Sequence, residues 1–162
     1  MKMTVDLGNI GAVLDELQSM KSRLPKNTDE FLKRMSEIGV TSAEMGFATA
    51  QYDGESSGNT VRSRQDGPNK YTVRAEGDTV LFLEFGAGIT YWTRYSEAEK
   101  NGMGPGTYPG QTRAFSPGGW YFYDSSGTVH HTYGNPPSMA MYNATKEIQM
   151  RAPRIAQEVF GK

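Results

Sequence analysis

Phe82-Leu83-Glu84-Phe85-Gly86-Ala87-Gly88 is the stretch on which the reading of this chain turns. An apolar run closes there on two glycines, and regular patterning resumes only at Gly119-Trp120-Tyr121-Phe122-Tyr123. The long interval between them is rich in Gly, Pro and aromatic residues. Loops beyond about 12 to 15 residues without secondary structure are uncommon in compact domains, and are usually functional or disordered. Tyr91, Trp92, Tyr95, Tyr108 and Phe115 argue against plain disorder, because disordered segments are poor in such side chains. With Arg94 they form a candidate interface, expected to be mobile in the isolated subunit and to order when a partner docks. The turn into this insertion calls for a left-handed backbone, so at least one of Gly86 and Gly88 is expected to have a positive φ.

Upstream, Leu7, Ile10, Val13, Leu14, Leu17 and Met20 recur every three or four residues, which predicts an amphipathic helix ending before Pro25. Asp15, Glu16, Lys21 and Arg23 occupy its polar side. Asn27 and Glu30 have the form of a capping box, and Phe31, Leu32, Met35, Ile38, Thr41 and Met45 carry a second helix from Thr28 to Ala50. Gly39 and Gly46 either admit a close neighbour or break that helix. Thr60-Val61-Arg62-Ser63-Arg64 and Tyr71-Thr72-Val73-Arg74-Ala75 read as a hairpin around Asp66-Gly67-Pro68-Asn69, with the arginines on its solvent face. The run from Thr79 to Phe85 is equally compatible with helix and strand, and Asp78 is a possible cap for a short helix.

Downstream, Trp120 to Tyr123 and Thr128 to Thr132 form a second hairpin around Asp124-Ser125-Ser126-Gly127. Tyr142, Thr145, Ile148, Ala152, Ile155 and Val159 define one face of a C-terminal helix, with Ser138 as its N-cap and a kink near Gln149 imposed by Pro153. The fold class is α+β: a small antiparallel sheet packed by N-terminal helices (6–50) and a C-terminal amphipathic helix (138–160). The sheet spans 60–85 and 119–132, the insertion loop 86–118, and the whole chain, 1–162, forms a single domain.

The 162 residues can bury roughly 70% of their unfolded surface, enough for a core without disulfides or metal. There is no Cys, which excludes a disulfide scaffold and thiol chemistry. With 17 basic and 18 acidic side chains, the net charge of -1 makes no case for broad binding to nucleic acid or anionic membranes. No unbroken apolar segment of signal-peptide or membrane-spanning type follows the N-terminal Met, so a soluble protein not secreted by the usual route is expected.

Catalytic candidates are weak. His130 and His131 are neighbours in a strand and point to opposite faces, so they cannot share one metal. Gly102-Met103-Gly104-Pro105-Gly106 lacks the helix and Lys of a phosphate loop. Glu97 and Glu99 lie in the insertion; Glu84, the one acid in an apolar run, suits a structural hydrogen bond or a subunit contact better than a catalytic role. No catalytic, cofactor-binding or metal-binding residue is assigned. The aromatics of Tyr91 to Tyr95 and Trp120 to Tyr123 also suit a small single-strand nucleic-acid or carbohydrate-binding module, which is the alternative reading. A third, a hydrolase built around Glu84 and His131, has little support.

The amphipathic N-terminus, the Glu84-Phe85-Gly86-Ala87-Gly88 box, the aromatic strand Trp120 to Tyr123, and Gly134-Asn135-Pro136-Pro137-Ser138-Met139 before a last amphipathic helix resemble one family. It is that of the head-tail joining or tail-completion proteins of long-tailed bacteriophages, the gene-product-ten type of the HK-like siphophages. The chain departs from it at Ala87, where Thr is common, and at Ser138, where an aromatic is common. The insertion from Ile89 to Pro117 is also longer than usual. The resemblance implies a structural, non-enzymatic protein of the virion neck that needs no cofactor. It would form a homo-oligomeric ring, a hexamer, at the head-proximal end of the tail. Its partners would be the connector or head-closure protein and the tail-tube protein, with double-stranded DNA passing through unbound and no membrane contact. It would be assembled in the host cytoplasm and found in the virion.

Overall fold

The computed structural model describes residues 10–50, 58–88, 116–124 and 126–161. Over these residues the chain is α+β. Its elements are helix α1 (Ile10–Ala48), strands β1 (Thr60–Gly67) and β2 (Lys70–Glu76), helix α2 (Val80–Phe85), strands β3 (Trp120–Tyr123) and β4 (Val129–Thr132), and helix α3 (Ala140–Phe160).

The two N-terminal helices expected from the sequence are one. α1 runs for 39 residues straight through Pro25. A proline in a helix interior removes one backbone bond and costs about 3 kcal/mol, a penalty that packing further along can offset. Asn27 therefore does not cap a second helix: its side-chain amide donates to the Val159 carbonyl at the far end of α3, at 3.1 Å. The Thr28 hydroxyl bonds back to the Leu24 carbonyl, as a mid-helix threonine does.

From about Asn27 onward α1 lies antiparallel against α3, as the pairs Asn27 with Val159, Arg34 with Glu158 and Gly46 with Ala140 show. The buried face of α1 is Met35, Ser36, Gly39, Ala43 and Phe47, not the expected line through Thr41 and Met45, and Met45 is 61% exposed. Small residues win the interface because the helices approach closely. A Cβ on Gly46 would stand 2.7 Å from the Ala140 Cβ, and one on Gly39 would stand 2.8 Å from the Ile148 Cδ1. Both glycines thus admit a neighbour and neither breaks the helix. On α3 the buried positions are Ala140, Ala144, Ile155 and Val159; Ile148 and Ala152 are half-buried, Tyr142 is intermediate and Thr145 is exposed. α3 continues through Pro153.

β1 and β2 form an antiparallel hairpin whose register shifts between Gln65 and Gly67. Val61 is buried and Arg62, Arg64 and Arg74 are exposed, as the alternation predicted. The residues after Glu76 do not extend this sheet: Val80–Phe85 is helical, which decides the ambiguous run and moves the sheet boundary from 85 to 76. Thr79 precedes α2 without a side-chain cap bond, so Asp78 does not cap it. β3 and β4 pair only with each other, giving two separate two-stranded sheets where a single small sheet was expected. The main core joins Ala43 and Phe47 of α1, Val61 of β1, Leu83 of α2, and Ala140 and Ala144 of α3. A second cluster of Met35, Ile155 and Val159 lies further along the α1–α3 contact.

Candidate functional site

α2 is too short to satisfy its own termini, since the last four carbonyls of any helix lack intrahelical donors. Residues 135–139 supply the donors. The Asn135 side-chain amide donates to the Phe82 carbonyl at 2.8 Å, and Ser138 donates both its N–H and its hydroxyl to the Leu83 carbonyl, each at 2.7 Å. The Met139 N–H donates to the Glu84 carbonyl at 3.1 Å. Ala87 and Asn135 then exchange backbone hydrogen bonds of 2.9 and 3.0 Å in an isolated antiparallel bridge.

The same segment satisfies the start of α3 in return. Glu84, only 5% exposed, turns its carboxylate onto the first turn of that helix. Oε2 accepts from the Met141 N–H at 2.8 Å and Oε1 from the Tyr142 N–H at 3.1 Å. Two orphan donors and the positive end of the helix dipole face a buried carboxyl group. Burial pushes the Glu84 carboxyl above its ordinary range, while the N–H bonds from Met141, Tyr142 and Ala140 pull the other way. Ser138 is consequently not the cap; its hydroxyl is engaged with Leu83. Met139, at the N-cap position, has a left-handed φ of 53°.

Gly86 and Gly88 shape this clamp, with φ of 74° and 85°. A Cβ on Gly86 would lie 2.8 Å from the Asn135 carbonyl oxygen, and one on Gly88 would run into that of Tyr133. The structure thus brings together the two boxes singled out in the sequence and gives Glu84 a structural part.

A second feature is the outer face of the β3–β4 hairpin. Tyr121, Tyr123, Val129 and His131 alternate outward, and Tyr123 is 73% exposed. Ring centroids of Tyr121 and His131 lie 4.7 Å apart, and those of His131 and Tyr133 lie 4.8 Å apart edge to face. His131 Nε2 is 2.8 Å from the Gly118 carbonyl oxygen. His130, on the opposite face as expected, stacks on Phe122 and sits 2.8 Å from Asp124 Oδ2. Asp124 also accepts from Ser126 and Thr128, which holds its carboxyl well below the usual range. Among the described residues no three His, Asp or Glu side chains gather as a metal-binding group.

A third feature is the first part of α1. Ile10, Val13, Leu14, Leu17, Met20 and Leu24 are each between 47% and 58% exposed. From Ile10 to Met20 the apolar stripe read from the sequence is helical but faces outward, and Leu24 extends it; Leu7 lies outside the described residues.

The candidate interface residues Tyr91, Trp92, Arg94, Tyr95, Tyr108 and Phe115, with Glu97, Glu99 and the turn at 102–106, lie outside the described residues. The sequence reads the apolar α1 stripe as a helix face and not as an interface, and of the Tyr121–His131–Tyr133 face it offers only Trp120 to Tyr123, as a base- or sugar-stacking surface. The alternation of Tyr121 and Tyr123 with Trp120 and Phe122 was a signal for the latter. No helix among the described residues is long and apolar enough to cross a membrane. No protein-family model matches the chain, and neither the curated proteins nor the solved structures contain a significant match.

Proposed function

We propose that this chain is a structural component of a bacteriophage virion neck, a head-tail joining or tail-completion protein that forms a ring at the head-proximal end of the tail and has no catalytic role. The observation that carries this reading is the apolar surface left uncovered, on the α1 stripe and on the tyrosine face of β3–β4. Contiguous exposed patches of this kind mark surfaces that a partner covers. Two separate patches suit a subunit with neighbours on more than one side, as a ring requires. The boxes behind the family resemblance are also the two halves of one hydrogen-bonded clamp, so their joint presence reflects one structural unit. The net charge of -1 suits a conduit through which DNA passes without being held. The partners in this reading are further copies of the chain, a connector or head-closure protein, and the tail-tube protein.

Deletion of the gene tests the reading. DNA-filled heads and separately assembled tails should accumulate while infectivity is lost, and normal infectious particles would overturn it. Complementation by a Tyr121→Ala, Tyr123→Ala or Trp92→Ala, Tyr95→Ala double variant should restore joining poorly, because aromatic anchors at interfaces typically contribute about 2 kcal/mol or more. The exposed cluster of Tyr121, His131 and Tyr133 rings, tilted and edge to face on one another, also favours a second reading, a module that stacks single-stranded bases or sugars. Gel-shift and glycan-binding assays on the same double variants separate the two.

A further inference from the structure

α1 spans about 58 Å at 1.5 Å per residue and α3 about 31 Å, so α1 outruns its partner. The bond from Asn27 to Val159 marks where α3 ends, and Ile10 to Leu24 extend past it as an arm of roughly 22 Å. Along the arm Ile10, Val13, Leu17, Met20 and Leu24 alternate at spacings of three and four, the a and d positions of a heptad. Together with Leu14 they expose on the order of 500 Å² of apolar surface, at the upper end for a monomer.

Continued without a break, the same heptad frame passes through Phe31, Ile38 and Met45. Between α1 and α3 lies a groove of about 940 Å³. Its α1 wall is Arg34, Glu37, Ile38, Thr41, Ser42 and Met45, all at a, d, e or g positions of that frame. The groove thus offers the arm Ile38 and Met45 at a positions, beside Arg34, which is paired with Glu158, and Thr41 at d positions, over about 17 Å of α1.

We propose that the arm of one copy lies in the α1–α3 groove of a second copy of this chain, parallel to its α1 and shifted by three heptads. In that register Leu17 stacks on Ile38 and Leu24 on Met45 of the second copy. The charges select the direction. Lys21, at an e position, comes opposite Glu37, at a g position, and neither has an ion-pair partner among the described residues. The antiparallel alternative would set Glu16 against Glu37. Both pairs on α3, Arg151 with Glu147 and Arg154 with Glu158, are already closed and leave no competing charge. One arm in one groove buries on the order of 1,000 Å² in total, the threshold for a specific interface. The contact is heterologous, so each copy keeps a free groove or a free arm until a set of copies closes on itself. This contact goes beyond the neck reading and does not depend on it.

Sedimentation equilibrium and light scattering on the full chain test the contact, with circular dichroism to verify that each variant keeps its helices. The wild-type chain should associate with concentration. Leu17→Glu on the arm and Met45→Glu in the groove should each weaken association roughly thirtyfold or more, as loss of an apolar anchor does. An equimolar mixture of the two variants should form a one-to-one dimer that does not grow, because only one arm and one groove remain intact. Lys21→Glu and Glu37→Lys should each weaken association, and their combination should restore it. A monomeric wild-type chain, unchanged association in Met45→Glu, or a charge swap that fails to restore association would each overturn the proposal. Normal association of Met45→Glu with loss in Leu17→Glu would point instead to arms pairing with arms.

Discussion

The Glu84 carboxyl group lies 2.8 Å from the backbone N of Met141, so the short helix α2 holds the start of α3 through a buried acidic side chain. The bond joins two segments distant in sequence and replaces the local side-chain cap that α3 lacks. Glu84→Gln should lower stability by about 1–3 kcal/mol, because one carboxylate oxygen becomes an amide that points a donor at a donor. Chemical denaturation measures this.

The same residue predicts a pH dependence. The folded-state pKa of Glu84 is raised by burial, so the folded chain binds this proton more tightly than the unfolded chain. Its contribution to stability is greatest below the ordinary glutamate value and declines as pH rises from there through the raised value. Denaturation across that window should show the decline in the wild type and its loss in Glu84→Gln.

Asp124 should act with the opposite sign. Its carboxyl is held low by the Ser126 hydroxyl, His130 and the Thr128 N–H. The stabilisation is complete above the ordinary aspartate value and is lost as pH falls through it toward the depressed one. Hydrogen exchange should show the amides of Ser126 and Thr128 losing protection in Asp124→Ala, with α3 unchanged.

Gly86→Val and Gly88→Val should each destabilise the fold by about 2 to 4 kcal/mol. The left-handed backbone alone costs an L-residue about 1–2 kcal/mol, and the added side chain meets the carbonyls of Asn135 or Tyr133. Melting temperatures equal to the wild type would show that the clamp opens without cost.

The two helix glycines should part company. Gly46→Ala drives its Cβ to 2.9 Å from the Ala140 backbone, which cannot yield, so overpacking of about 1–3 kcal/mol should exceed the gain of about 1 kcal/mol in helix propensity. Gly39→Ala meets only the tip of Ile148 and the Val73 methyl, so it should be neutral or slightly stabilising. Thermal unfolding of the two variants compares them directly.

Helix at both ends of the chain, two hairpins and the turn glycines were legible in the sequence because each rests on local chemistry: apolar periodicity, β-formers flanking turn residues, and glycine where φ must be positive. Strand alternation predicts the exposure of Arg62 and Arg64 beside buried Val61, whereas Ser63 and Gln65, on the Val61 face, are exposed as well. The resemblance of the Glu84–Gly88 and Gly134–Met139 boxes to one family was equally legible, but nothing in the residues said that the boxes touch.

What only the tertiary structure decided has a common cause, which is that contacts between distant segments outweigh local preference. Pro25 and the Asn27 capping box signal a helix boundary, yet Asn27 is engaged at the end of α3 and the helix continues. Ser138 is a good local cap, yet the buried Glu84 takes that place because the carbonyls of α2 need Ser138 themselves. The Ile10–Leu24 stripe has the pattern of a core face, and periodicity records only that a face is apolar. Whether water or protein covers it depends on where α3 ends, which is set by the packing of Ala140, Ala144, Ile155 and Val159 against small residues of α1.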